Sequence, residues 1–292
     1  MTIRIGFATL LALLLVAPVA LVAQSGSPAQ PPVWRPAPET VPDDSSADAP
    51  EPQPAAPASP SGDAPPATAP LIERARYATF QFSQKLPNFI CQEYVSRFAQ
   101  RGQDKRPLDI VSAEVVYHDG EESYRNVKVG GRPTNKGMME IEGSRSTGEF
   151  ATVLTNLFST NTNAQFRAGG RSVISGSIAQ VYDFRVAQKN SHWEVKAEDQ
   201  STRPAYSGRM WVDPATARVL RIEMEAVDLP PDFPLDRIET AVDYAYTTIA
   251  GNSSLLPVHA ESLGCQRDSP DCSHNIIDFR NYHQFKVDVK IK

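Results

Sequence analysis

Val219-Leu220-Arg221-Ile222-Glu223-Met224-Glu225-Ala226 is the stretch that decides the fold. Leu220, Ile222, Met224 and Ala226 alternate with Val219, Arg221, Glu223 and Glu225. Successive side chains of a strand point to opposite faces, so this period of two predicts a strand with one buried face and one wet face, the habit of antiparallel sheets. Outward from it, strands are expected around 172–186, 191–197, 206–213, 241–249 and 256–263. A last strand puts His283, Phe285, Val287, Val289 and Ile291 on one side, with Tyr282, Gln284, Lys286, Asp288 and Lys290 on the other. Nearer the N-terminus 89–98, 109–118 and 121–129 read as strands, the last two joined by the hairpin signal Asp119-Gly120.

Two segments break the period of two. Ile72, Ala75, Thr79, Phe82 and Leu86 recur on one helical stripe, opened by Glu73 and stopped by Pro87. Later Ser146 and Glu149 form a capping box, and Phe150, Val153, Leu154, Leu157 and Phe158 follow at i, i+3, i+4, i+7 and i+8. The architecture expected is α+β and mainly β: a long antiparallel curved sheet with the two helices on its concave face. About 220 residues, 71–292, suffice for one such domain.

What precedes 71 is of another kind. Arg4 followed by an apolar run from Ile5 to Val22, with Pro18 near its end and the triplet Leu21-Val22-Ala23, reads as a cleavable signal peptide over 1–23; an uncleaved anchor is the rival reading. Gln24 stands where a bacterial lipoprotein would carry Cys. Residues 24–70 are a Pro/Ala-rich linker in which Glu39, Asp43, Asp44, Asp48, Glu51 and Asp63 oppose only Arg35, six negative charges against one positive. Such a tract cannot pack a core and is expected to be an extended, solvated spacer. Since the whole chain has a net charge of −5, the globular part is near neutral. With no basic surplus there is no electrostatic footprint for nucleic acid. The expected location is the periplasm or outside the cell, with no membrane span after signal cleavage.

The hairpin Tyr206-Ser-Gly-Arg-Met-Trp-Val-Asp-Pro-Ala-Thr-Ala-Arg-Val-Leu-Arg-Ile-Glu223 resembles the G-x-x-W-x-D-x-x-T-x-x-x-x-R hairpin of outer-membrane lipoprotein carrier and sorting proteins and their relatives that sense envelope stress. A wider pattern resembles a family of uncharacterised secreted bacterial proteins: Leu86-Pro-Asn-Phe-Ile-Cys91, Tyr117-His-Asp-Gly-Glu-Glu-Ser-Tyr124, Ser146-Thr-Gly-Glu-Phe150 and Asn281-Tyr-His-Gln-Phe285. The first resemblance implies a half β-barrel of the lipoprotein-localisation type, whose helices close an apolar cavity that takes acyl chains. It carries over no catalytic residue, and the acidic stalk departs from the compact carriers. Fold alone does not settle function.

Of the three cysteines, Cys265 and Cys272 enclose a short polar loop between strands and are the first choice for a disulfide in an oxidising compartment. Cys91 with Cys265 is the alternative. A metal site of Cys265, Cys272, His274 and His283 fits no standard zinc spacing, and no metal or cofactor is expected. No Gly-x-Ser-x-Gly elbow, His-Glu-x-x-His helix, Ser-x-x-Lys or phosphate loop is present, and the five histidines, His118, His192, His259, His274 and His283, read as structural. The chain is therefore read as no enzyme. The candidate groove for a hydrophobic ligand is Phe150, Val153, Leu154, Leu157, Phe158 and Trp211, with a lipid, a lipidated protein or an envelope protein as partner. A structural or interaction module with no small ligand is the alternative, favoured by a fully packed core. An enzyme would need a polar pocket of converging His and carboxylate groups.

Overall fold

The computed structural model describes residues 40–41, 64–118, 121–141, 150, 152–249 and 251–284. Its elements are β1 (Thr40–Val41), α1 (Leu71–Lys85), β2 (Phe89–Arg101), β3 (Asp104–His118), β4 (Glu121–Val129), β5 (Arg132–Pro133), α2 (Thr152–Phe158), β6 (Gln165–Ile174), β7 (Ser177–Val186), β8 (Val195–Ala197), β9 (Gln200–Thr202), β10 (Ala205–Val212), β11 (Val219–Val227), β12 (Leu235–Ile249), β13 (Asn252–Gln266) and β14 (Asp271–Gln284). The expected signal segment, most of the acidic tract, the Asp119-Gly120 turn, the capping pair Ser146 and Glu149, and Phe285, Val287, Val289 and Ile291 lie outside the described residues.

Twelve of these strands form one sheet in the order β1-β6-β7-β10-β11-β12-β13-β14-β2-β3-β4-β5, and β8 with β9 makes a small separate ribbon. The large sheet is antiparallel, curved and open: β1 and β5 stand at its two edges, so it is a half-barrel rather than a closed one. Apart from the β8–β9 ribbon set between β7 and β10, it departs from a simple meander where β14 pairs with β2 and where β1 pairs with β6. The chain thus leaves the sheet at the β5 edge and re-enters it at β6, near the opposite edge. Neighbouring strands lie about 4.8 Å apart, so a flat sheet would demand a long crossing, and curvature shortens it. α2 sits in this crossing connection, which explains why the interrupting helix lies over the sheet face.

Register sorts the residues onto two faces. On the inner face, covered by the helices, Met210 pairs with Ile222, Ile222 with Val242, Val242 with Ala260, Ala260 with Ile277, Ile277 with Val95 and Val95 with Val111. These residues and Ala75, Leu154, Leu157 and Phe158 of the helices share one core. On the outer face a parallel row runs Val181, Trp211, Arg221, Asp243, His259, Asp278 and Tyr94 across seven strands.

The alternation expected over 219–226 needs one correction. A bulge between Trp211 and Val212 sets Val212 against Val219, so Val219 is buried and Leu220 only partly so. The face expected to be wet is covered at Arg221, which is 5 % exposed. An extra residue in one strand reverses the pleat locally, which no reading of alternation alone detects. The strands β2, β3, β12 and β13 also run longer than expected, through residues whose polarity hides their pairing.

Candidate functional site

Phe150 and helix α2 fill the inner face. Phe150 packs against Phe89, Phe279, Tyr117 and Tyr282, with ring centroids 5.4, 5.1, 6.4 and 6.5 Å away. Leu154, Leu157 and Phe158 are buried in the same core, and Phe158 stacks on Phe166 at 5.5 Å. Val153 is half-buried at the rim. A seven-residue helix is too short to hold itself in water, so α2 depends on this burial.

The second helix is placed differently. In α1 only Ala75 and Thr79 are fully buried. Its large apolar side chains Leu71, Ile72, Phe80 and Phe82, with Leu86 just beyond it, are partly buried against the core. The β10–β11 turn anchors it. Arg218 donates to the Ala78 carbonyl at 2.7 Å and places its guanidinium 5.5 Å from the Phe82 ring centre, while Arg74 reaches the Pro214 carbonyl at 3.4 Å.

The hairpin motif that carries the resemblance now has a physical account. Gly208 lies in β10 where any Cβ would collide with the Glu223 carbonyl and come within 2.6 Å of the Phe184 ring. Asp213 accepts from the Ala215 amide at 2.9 Å and from the Thr216 hydroxyl at 2.7 Å, and this fixes the turn. Trp211 and Arg221 are neighbours on the outer face, with the guanidinium 5.9 Å from the indole ring. Trp211 is therefore not brought together with the helix residues. It is fully buried in a separate cluster with Ile174, Ala179 and Val181. The sequence places Trp211 one residue from Met210 and Val212, and in a strand that single step means the opposite face.

At the end of the inner face nearest Phe150 lies Cys91, a buried free thiol. Burial, reinforced by the charge of Glu93, pushes its ionisation well above the ordinary range. Burial acts the same way on Tyr282, whose hydroxyl donates to the Pro257 carbonyl at 2.5 Å, and it pushes Tyr206 up to about 12. A thiol held in its neutral form is a poor nucleophile. Cys265 and Cys272 face each other across β13 and β14 and are joined by a disulfide.

Sequence reading missed a polar constellation on the outer face. His259 lies between Asp278, 3.1 Å from Nδ1, and Glu261, 3.4 Å from Nε2; the second Glu261 oxygen is 3.2 Å from His274 Nε2. Arg221 donates to both Asp243 oxygens at 2.7 and 2.6 Å and to Glu223 at 2.8 Å. The i, i+2 spacing of His259 and Glu261 puts them on one face, but the partners from β12 and β14 become visible only once register is known. Among the described residues no His, Cys, Asp and Glu side chains are grouped to hold a metal ion. Within the same residues no helix is long and apolar enough to cross a membrane.

No family model matches the chain, and no curated protein does. Solved structures similar to it include the following two. One is a putative outer membrane lipoprotein-sorting protein domain from Vibrio parahaemolyticus, at 10% identity and a TM-score of 0.39 over 71% of this chain and 89% of that one. The other is a DUF1329 family protein from Desulfovibrio piger, at 12% identity and a TM-score of 0.37 over 76% of this chain and 96% of that one.

Proposed function

We propose that this chain is a non-enzymatic protein of the cell envelope or its exterior that binds an acyl chain or a similar apolar ligand at the helix-covered face of its sheet. The observation that carries the reading is the incomplete seating of α1. It buries two small side chains fully and leaves Ile72, Phe80 and Phe82 half-buried over an apolar floor, with Val153 of α2 beside the same core. A ligand chain entering between helix and sheet would complete that burial, and each CH₂ it buries contributes about 0.8 kcal/mol. Burial holds Cys91 and Tyr282 in their neutral forms at this floor, which suits apolar contact rather than nucleophilic chemistry. Trp211 has no part in it.

Phe150, Leu154, Leu157 and Phe158 are core in this structure, so charge placed there would unfold the domain and report nothing about binding. Phe80→Asp and Val153→Asp at the half-buried rim are the informative variants. Wild-type protein should take up a fluorescent fatty acid saturably, and each variant should weaken that uptake at least about tenfold, which is ~1.4 kcal/mol, with an unchanged circular dichroism spectrum. Absence of saturable uptake, together with absence of lipid in protein purified natively, would overturn the reading. The full burial of those four residues favours a second reading, a packed interaction module with no small ligand, and it would then take first place.

A further inference from the structure

His259 sits at the centre of the outer-face row with both ring nitrogens against carboxylate oxygens, Nδ1 3.1 Å from Asp278 and Nε2 3.4 Å from Glu261. A neutral imidazole has one N–H and one lone pair, so it can satisfy only one of these contacts and must turn its lone pair on the other carboxylate. Only the doubly protonated ring donates to both. Glu261 is 2 % exposed and lies between two imidazoles, accepting from His259 on its own strand and from His274 on the next. Asp243 on β12 faces the same ring from the other side, being the cross-strand partner of His259.

We propose that His259, Glu261, Asp278 and Asp243 form a proton-operated joint across β12, β13 and β14, closed when His259 carries its second proton and loosened when that proton leaves. With His259 neutral, the carboxylates of Asp243, Glu261 and Asp278, with Glu223 behind them on β11, crowd three adjacent strands and their neighbour. The cations facing them are Arg221 on β11, which is committed to Asp243 and Glu223, and Arg280 on β14, which pairs with Asp278 at 3.0 Å and lies over Tyr94 of β2. From the β2–β3 hairpin Lys105 approaches Glu261, its ammonium 4.3 Å from the Phe98 ring centre, and the Phe98 ring adjoins His274. Arg209 of β10 reaches Glu223 electrostatically, behind Arg221. Arg221 and Arg280 are held by their own carboxylates, and the His259 ring is the group that lies between Glu261 and Asp278.

Electrostatics supports the geometry. The Glu261 hydrogen bond outweighs burial, Asp278 adds to it, and the His259 pKa is raised above its ordinary value. A group whose folded pKa is raised contributes stability that is fully present below its unfolded pKa and is lost as pH rises through the folded one. For His259 that window opens at about 6.5. Lys105 acts oppositely: burial lowers it to about 8, against the pull of Glu261, so its contribution makes stability rise with pH above that value. The two effects are separated by working below pH 8 and by including Lys105→Gln.

The experiment is thermal unfolding of the full chain from pH 6 to 8, together with an NMR titration of the histidine rings. The wild-type melting temperature should fall as the pH rises across this window, because the contribution of the second proton on His259 is lost through its raised pKa. His259→Gln, which can hydrogen-bond but not titrate, should flatten the slope in either Lys105 background. His118→Gln and His192→Gln, at exposed positions, should leave it unchanged. An imidazole of His259 that titrates at or below the ordinary value, or a His259→Gln variant with the wild-type slope, would overturn the proposal. If the variant fails to fold, the ring titration of the wild-type chain decides alone.

Discussion

Gly208 shows how a single residue sets the geometry of a strand. Glycine inside a strand is normally a weakness, but here the backbone of β11 and the ring of Phe184 come so close that no Cβ fits. Gly208→Ala should therefore cost about 1–3 kcal/mol by overpacking, read as a melting temperature lower by about 2–12 °C, with little change in the spectrum of the folded protein. An unchanged melting temperature would show that β10 and β11 separate more readily than this contact implies. Glu261 predicts a pH effect of the opposite sign to that of His259. Burial alone would raise its carboxyl, yet hydrogen bonds from His259 and His274 prevail and hold it at about 2. A depressed carboxyl contributes stability that is present above its unfolded pKa, about 4.3, and is lost as pH falls from there through its folded pKa. Glu261→Gln should remove this acid limb in urea titrations between pH 2 and 4.5; a limb of undiminished size in the variant would assign it to other carboxylates.

At the scale of elements the β10–β11 turn and α1 form one mechanical unit. The charge-assisted hydrogen bond from Arg218 to the Ala78 carbonyl is partly buried, and such bonds are worth about 1.5–3 kcal/mol. Arg218→Ala should loosen α1 without touching the sheet core. A melting temperature lower by several degrees and faster uptake of a fluorescent fatty acid are expected in stopped flow; slower or unchanged uptake would mean that α1 does not gate the apolar face. The disulfide is a second unit of this size. It closes a seven-residue separation between strands that are already paired, and a loop of this length gives about 2.5 kcal/mol. Reduction should lower the urea midpoint with the slope preserved, because the released loop exposes little new surface.

The legible part of the fold is everything governed by local period. The stripe of Ile72, Ala75 and Thr79 announces α1, the alternation from Ile222 to Ala226 announces a half-buried strand, and Phe150 to Phe158 announce a short apolar helix. Register and connectivity are not legible, because the pairing of β14 with β2 joins residues almost two hundred positions apart, and no local pattern carries that information. For the same reason local pattern groups Trp211 with residues on the wrong side of the sheet, and passes over His259 and Glu261 although they stand two residues apart.

The topology predicts how stability is distributed over the whole molecule. Strands β12, β13, β14 and β2 are each paired on both sides and carry the long ladders of the sheet, with the apolar row Val242, Ala260, Ile277 and Val95 on one face and the charged row on the other. Among the described residues both ends of the sheet are capped by the two-residue strands β1 and β5, which pair with two residues each of β6 and β4. Amide groups that open only on global unfolding should therefore lie in β12 to β14 and β2, whereas β4, β6 and the β8–β9 ribbon should exchange by local opening at much lower free energy. Because the joint centred on His259 lies within the most protected strands, raising the pH from 6 to 8 should lower protection there after correction for the intrinsic exchange rate, while β4 and β6 stay unchanged. A uniform response across the sheet would mean that the outer-face charges act through net repulsion over the molecule and not through the contacts of His259.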